Sequence, residues 1–186
     1  IKWNGLSPIF ADTDNFIGNL SADEIEKKIG RKTGGILATH NFGFPGELDL
    51  IDNLSKKYKL PLIYDAAPAI GVKLSGKSIL KFGDVSVLSF HATKILNTFE
   101  GGAVVSSSKT IKEKVDLIKN FGIKDEETVS RVGINAKMSE INSAMGLLQL
   151  KYLDKIIHER KKIFYIYLNG IKENKNIGIM QIPDNV

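Results

Sequence analysis

The sequence predicts an α/β fold, a predominantly parallel sheet flanked by helices in doubly wound order. Two observations carry this. Short apolar segments alternate with amphipathic helical ones along most of the 186 residues. One segment, LPLIYDAA, is apolar at too many consecutive positions for a strand with one wet face, so it reads as a central parallel strand.

Taken in order, SPIFAD (residues 7–12) reads as a short opening strand. In SADEIEKKI, Ser21 and Glu24 have capping-box spacing, and Ile25 and Ile29 share one helix face. GGILATH (residues 34–40) is the next strand. A helix is expected after Pro45 and Gly46, with Leu48, Ile51 and Leu54 inward. Its lysines, Lys56, Lys57 and Lys59, gather towards the C-terminal end, where the helix dipole favours cations. LPLIYDAA (60–67), DVSVLSF (84–90) and GGAVVSSS (101–108) supply three strands, the last leading into a helix over residues 109–120. From Ser139 the pattern changes to long helix: Ile141, Met145, Leu148 and Tyr152 form a stripe that Ile156, Ile163 and Tyr167 continue. Met138 and Met145 read as core residues of that helix.

Composition narrows the function classes. Lysine and arginine number 26 against 21 acidic residues, a net charge of +5, but the charges are mixed along the chain and no basic block is interleaved with aromatics. That is a solvated surface rather than a nucleic-acid footprint. Cysteine is absent and the three histidines are scattered, so neither a disulfide framework nor a metal centre is expected, and a reducing, cytoplasmic setting fits. No apolar run approaches the roughly 20 residues that span a bilayer, and IKWNGLSPIF lacks the order of a signal peptide. A generic nucleotide-binding module is disfavoured: no G-x-G-x-x-G follows the first strand and there is no P-loop lysine.

In a doubly wound sheet ligands sit beyond the carboxyl ends of the strands. Asp65 falls at the end of the apolar strand, and Ser89 and Lys94 fall just past the end of another, in SFHATKILNTFEGG. A carboxylate there is costly to bury without a partner, so one reading is an Asp65–Lys94 ion pair or a helix cap. The other is pyridoxal phosphate. That cofactor needs a lysine amine for its aldehyde, an acid for its pyridine nitrogen, and hydroxyls or N–H groups for its phosphate. Lys94, Asp65 and Ser89 match these demands.

The ordered motifs YDAAPAIG, GDVSVLSFHATKILNTFEGGAVV and GINAKMSEINSAMGLLQLKYLD resemble the DegT/DnrJ/EryC1/StrS family of sugar aminotransferases, fold-type I pyridoxal-phosphate enzymes. The resemblance runs over residues 7–160. It implies that Lys94 condenses with the cofactor's aldehyde, that Asp65 partners the pyridine nitrogen, that Ser89 binds the phosphate and that Ala67 lies against the ring. Asn135, in a GxNxRMSE-like stretch, matches an asparagine that reaches the cofactor phosphate of the other subunit, so a homodimer is implied. His91 is similar to a residue of subfamilies acting on thymidine-diphosphate keto-deoxysugars and is placed near substrate or cofactor; a histidine bonded inside a turn is the plainer alternative. His40, in an HxxGxP-like turn, either lines the pocket on the substrate side or is structural. Glu100 caps or pairs locally, and Gly101 and Gly102 form a turn before the next strand.

The expected reaction is transfer of an amino group, with glutamate the expected donor, to a keto carbon of a nucleotide-linked deoxysugar. Relatives that dehydrate instead carry histidine at the lysine position, which Lys94 argues against. Pro68 stands where the family carries Gln or His, and Lys137 where it carries Arg, losing a bidentate fork. Family members are about twice this long, so residues 1–150 are expected to be a large cofactor-binding domain lacking its N-terminal segment, and 151–186 a long helix with the start of a small C-terminal domain. The alternative is a non-catalytic fragment or assembly module that keeps the large-domain sheet.

Overall fold

The computed structural model describes residues 1–14, 17–179 and 185–186. The chain divides into two compact units, residues 1–86 with the C-terminal 185–186, and residues 87–179. Among the described residues the sheet has four strands in the order β1 (Ile36–Thr39), β2 (Leu62–Asp65), β5 (Val85–Ser89), β6 (Gly102–Val105). β1 and β2 pair in parallel, with Ile36 opposite Leu62 and Thr39 opposite Asp65.

In the first unit α1 (Ala22–Lys28) and α2 (Leu48–Tyr58) accompany the parallel pair. α2 buries Leu48, Ile51 and Leu54, the inward residues expected from the sequence, and each such side chain contributes about 1.5–3 kcal/mol through removal from water. It ends at Lys59, whose left-handed φ of 53° turns the chain back, while Ser55 Oγ donates to the Leu60 carbonyl at 2.7 Å. The capping box expected at Ser21 does not form: its side chain makes no cap bond. Glu47 takes that role, its Oε2 accepting from the Ala22 N–H at 2.7 Å, and Glu24 pairs with Lys27 instead.

Residues 7–12 are not a strand. Ile9 and Phe10 are exposed and Pro8 has no N–H to offer a ladder, so the segment joins no sheet; its Asp12 carbonyl accepts the Ser21 N–H at 3.3 Å, and an antiparallel bridge, Thr13 to Leu20, follows it. A small hairpin absent from the sequence reading, β3 (Lys73–Leu74) and β4 (Lys77–Ser78), turns at Ser75 and Gly76, both at positive φ. β2 is also not buried on both faces: Leu62 and Tyr64 are covered, but Ile63 is 39% exposed, and its register partner Leu37 is 46% exposed.

In the second unit, α3 (Lys109–Ile118) is capped by Ser108, whose Oγ accepts from Ile111 N–H, and α4 (Glu140–Ile171) by Ser139, whose Oγ accepts from Asn142 N–H. α4 is one unbroken helix of 32 residues. Its predicted stripe is not core, for the helix lies at the surface of its unit: Ile141 is 75% exposed, Leu148 and Tyr152 are also exposed, and only Gly146 is buried. Met138 precedes the helix altogether and is exposed. Residues 180–184 of the expected C-terminal segment lie outside the described residues.

Candidate active site

Within the first unit, Asp65 closes β2 at its carboxyl end, on the exposed side of the strand. Its Oδ1 accepts the Ala67 N–H at 3.1 Å, an Asx turn that leaves Oδ2 open. The chain turns tightly beyond it, with the Ala69 N–H donating to the Ala66 carbonyl at 2.8 Å; Ala67 and Pro68 are half-buried in that turn. Gly43 passes so near that a Cβ there would lie 3.0 Å from the Pro68 carbonyl oxygen.

His40 sits one residue past β1, and its backbone N–H donates to the Asp65 carbonyl at 2.9 Å, continuing the strand pairing. The side chain is fully buried and stacks on Tyr64, ring centroids 4.5 Å apart and planes 11° from parallel. Burial lowers the imidazole pKa to about 4, against a smaller upward pull from the Asp65 charge, and raises the Tyr64 phenol. A ring with no exposed surface supports the interior reading of His40 over direct contact with a substrate.

Within the second unit, the connection from β5 to β6 carries the lysine. Ser89 ends β5, half-buried, with its Oγ accepting the His91 N–H at 3.3 Å and its own proton free to be donated. The Lys94 N–H donates to the His91 carbonyl at 2.9 Å. The Lys94 side chain is half-buried, and neither its ammonium nor the Asp65 carboxylate belongs to an ion pair among the described residues.

His91 is exposed and held from both sides. Nδ1 lies 3.0 Å from Thr93 Oγ1 and accepts the Thr93 N–H at 3.3 Å, which leaves the proton on Nε2, 3.7 Å from Glu100 Oε1. Glu100 thus pairs locally, across the turn. Its backbone carbonyl takes two further bonds, from Thr98 Oγ1 at 2.6 Å and Asn142 Nδ2 at 3.0 Å. Thr98, buried to 1% exposure, was not singled out by the sequence; the only cue was a hydroxyl shortly before two glycines, a turn-forming pattern.

Asn135 is exposed and forms an antiparallel bridge with Asn120. Neighbouring Lys137 donates to Asn120 Oδ1 at 3.1 Å and lies 4.8 Å over the Phe121 ring, so the ammonium at the family's arginine position is used within the unit. Among the described residues no hydrogen bond links Asn135 to the lysine-bearing turn. Among the described residues no group of three or more acidic or histidine side chains is placed to hold a metal.

Each unit by itself offers a group of the kind pyridoxal phosphate uses: in the first, a carboxylate oxygen suited to a pyridinium; in the second, an amine suited to an aldehyde and a hydroxyl suited to a phosphate. The wider fold agrees. DesI, solved in the presence of its TDP-sugar product, is 33% identical and matches with a TM-score of 0.90, covering 97% of this chain and 46% of DesI. Helicobacter pylori PseC, an aminotransferase of pseudoaminic acid biosynthesis, is also 33% identical, with a TM-score of 0.89 over 94% of this chain and 48% of its own. This is the fold of the pyridoxal-phosphate-dependent sugar aminotransferases.

Within that class the chain belongs to the DegT/DnrJ/EryC1/StrS aminotransferase family, which it matches over residues 1–186. A dTDP-4-amino-4,6-dideoxy-D-glucose transaminase of Shigella dysenteriae is 45% identical over 177 residues, 95% of this chain and 48% of the relative. The chain spans about half the length of the relatives it matches.

Proposed function

We propose that the chain is part of a nucleotide-sugar aminotransferase that moves an amino group from an amino acid, glutamate by the family resemblance, to the 4-keto carbon of a dTDP-linked 6-deoxyhexose. The observation that carries this is the 45% identity to the Shigella transaminase, whose name specifies a dTDP sugar aminated at C4. Residues 1–150 serve as the cofactor-binding large domain and 151–186 lead into a smaller one. The enzyme works as a cytoplasmic homodimer; among the described residues no helix is long and apolar enough to cross a membrane.

Bound pyridoxal phosphate supplies an aldehyde that takes up amino groups and a ring that withdraws electrons from the reacting carbon. This chain's residues do the rest. Asp65 holds the proton on the ring nitrogen through its carboxylate, and an acceptor at the end of a strand is already oriented by its Asx turn. The Ser89 hydroxyl and the Asn135 amide hold phosphate, the latter in the second subunit, and the Ala67 methyl packs on the ring. With the cofactor bound, Lys94 Nζ would take the proton from the donor's α-carbon and return it as an acid. His91 presents an N–H on the substrate side, its tautomer set by Thr93.

A second reading, an assembly module that binds no cofactor, is favoured by the half-exposed apolar pair Leu37 and Ile63 and by the bare face of α4. One experiment separates the two. The chain is incubated with pyridoxal phosphate, reduced with borohydride and mapped by peptide. Label concentrated on Lys94, and greatly weakened in Asp65→Asn, supports the aminotransferase; label absent or scattered over surface lysines supports the module.

A further inference from the structure

The lysine-bearing turn is closed at a neck. Phe90 N–H donates to the Gly101 carbonyl at 2.8 Å, and Thr98 N–H donates to the Phe90 carbonyl at 2.9 Å. The Thr98 hydroxyl donates to the Glu100 carbonyl at 2.6 Å, and Glu100 N–H returns a bond to the Thr98 carbonyl at 2.8 Å. Residues 91–97, with Lys94 at their centre, lie between these bonded positions, with Leu96 buried.

Two close approaches show how tightly the neck is seated. A Cβ at Gly101 would lie 2.5 Å from Thr98 Oγ1 and 2.8 Å from Met138 Cε. A Cβ at Gly146, on α4, would lie 2.9 Å from Thr98 Cγ2. Threonine therefore uses both branches: the hydroxyl bonds the Glu100 carbonyl two residues on, bracing the returning arm of the turn, and the methyl rests on helix backbone where no side chain intervenes. Asn142, one turn earlier on α4, adds its bond to the same Glu100 carbonyl. Loss of the hydroxyl would leave the Glu100 carbonyl with one bond fewer and the returning arm braced only by its backbone bonds and Asn142.

We propose that Thr98 is the positioning residue of Lys94, acting through the neck of the turn rather than by touching cofactor or substrate. This rests on the reading of Lys94 as the cofactor lysine, and the test keeps the two apart. Wild type, Thr98→Val and Thr98→Ser, matched for folded fraction by circular dichroism, are treated with pyridoxal phosphate and borohydride across a range of pH, and label at Lys94 is quantified. In parallel, without cofactor, the reactivity of Lys94 towards trace acetic anhydride is measured against that of the surface lysines.

Thr98→Val is expected to lower label at Lys94 on the order of 10-fold, to move the pH midpoint of labelling, and to change the anhydride reactivity of Lys94 alone. Thr98→Ser, which keeps the hydroxyl, is expected to restore all three. Labelling of Thr98→Val equal to wild type at every pH overturns the proposal, and so does a Thr98→Ser chain as impaired as Thr98→Val, since packing of the methyl alone would then account for the effect. Should Thr98→Val not fold, Asn142→Ala removes the other bond to the Glu100 carbonyl and is read in the same way. A wild type unlabelled at Lys94 removes the cofactor reading, and the anhydride ratio still decides the positioning role.

Discussion

The His40 ring lies against Tyr64 with both its nitrogens, and the Tyr64 hydroxyl, lacking a hydrogen-bond partner among the described residues. Such a ring stays neutral, because its charged form would lose hydration without gaining a bond. The consequence appears in the pH dependence of stability. The imidazole titrates near 6.5 in the unfolded chain and near 4 in the fold. Between those values the unfolded chain binds the extra proton, so stability falls as pH falls through the window and levels off below it. The loss is at most about 3 kcal/mol. His40→Phe keeps a flat ring against Tyr64 and cannot charge, so urea unfolding at pH 7 and pH 5 should show a smaller drop in the variant; equal drops would refute this account. Asp65, by contrast, stands at its strand's end with a bond in its own turn and, among the described residues, no ion pair.

Glu47 illustrates what an element borrows from its neighbour. It precedes α2 yet caps α1, through the 2.7 Å bond from Ala22 N–H. Glu47→Ala is expected to cost about 1 kcal/mol, read as a lower urea midpoint at unchanged slope, whereas Ser21→Ala should cost nothing measurable because that side chain makes no cap bond. The elements that were legible in the sequence are those whose burial period is local: α2 with Leu48, Ile51 and Leu54, and the apolar cores of β1, β2 and β5. Residues 7–12 were misread because a strand exists only with a partner, and the two-residue strands of the β3–β4 hairpin are too short to show a period. Asp65 and Lys94 stood out as polar groups at the ends of apolar runs. Thr98 did not, since its importance arises from the approach of Gly146, a position remote in sequence.

At the scale of the molecule, large apolar side chains stand exposed on the sheet and on α4. Parallel sheets are normally covered on both faces, yet Leu37, Ile63, Val87 and Val104 are each substantially exposed, as are Leu147, Leu150, Ile166 and Tyr167 on α4. Patches of this kind mark surfaces that associate. Light scattering over a concentration series should therefore give a mass that rises above that of the 20.5 kDa chain, and Ile141→Lys with Ile166→Lys on α4 should lower it; a constant monomer would remove the dimer reading for this chain. α4 also has a mechanical meaning. A rod of 32 residues, about 48 Å from end to end, rests near its beginning on a threonine methyl and extends well past it. Any sideways load on the distal half becomes torque at that fulcrum, borne by the turn that carries Thr98.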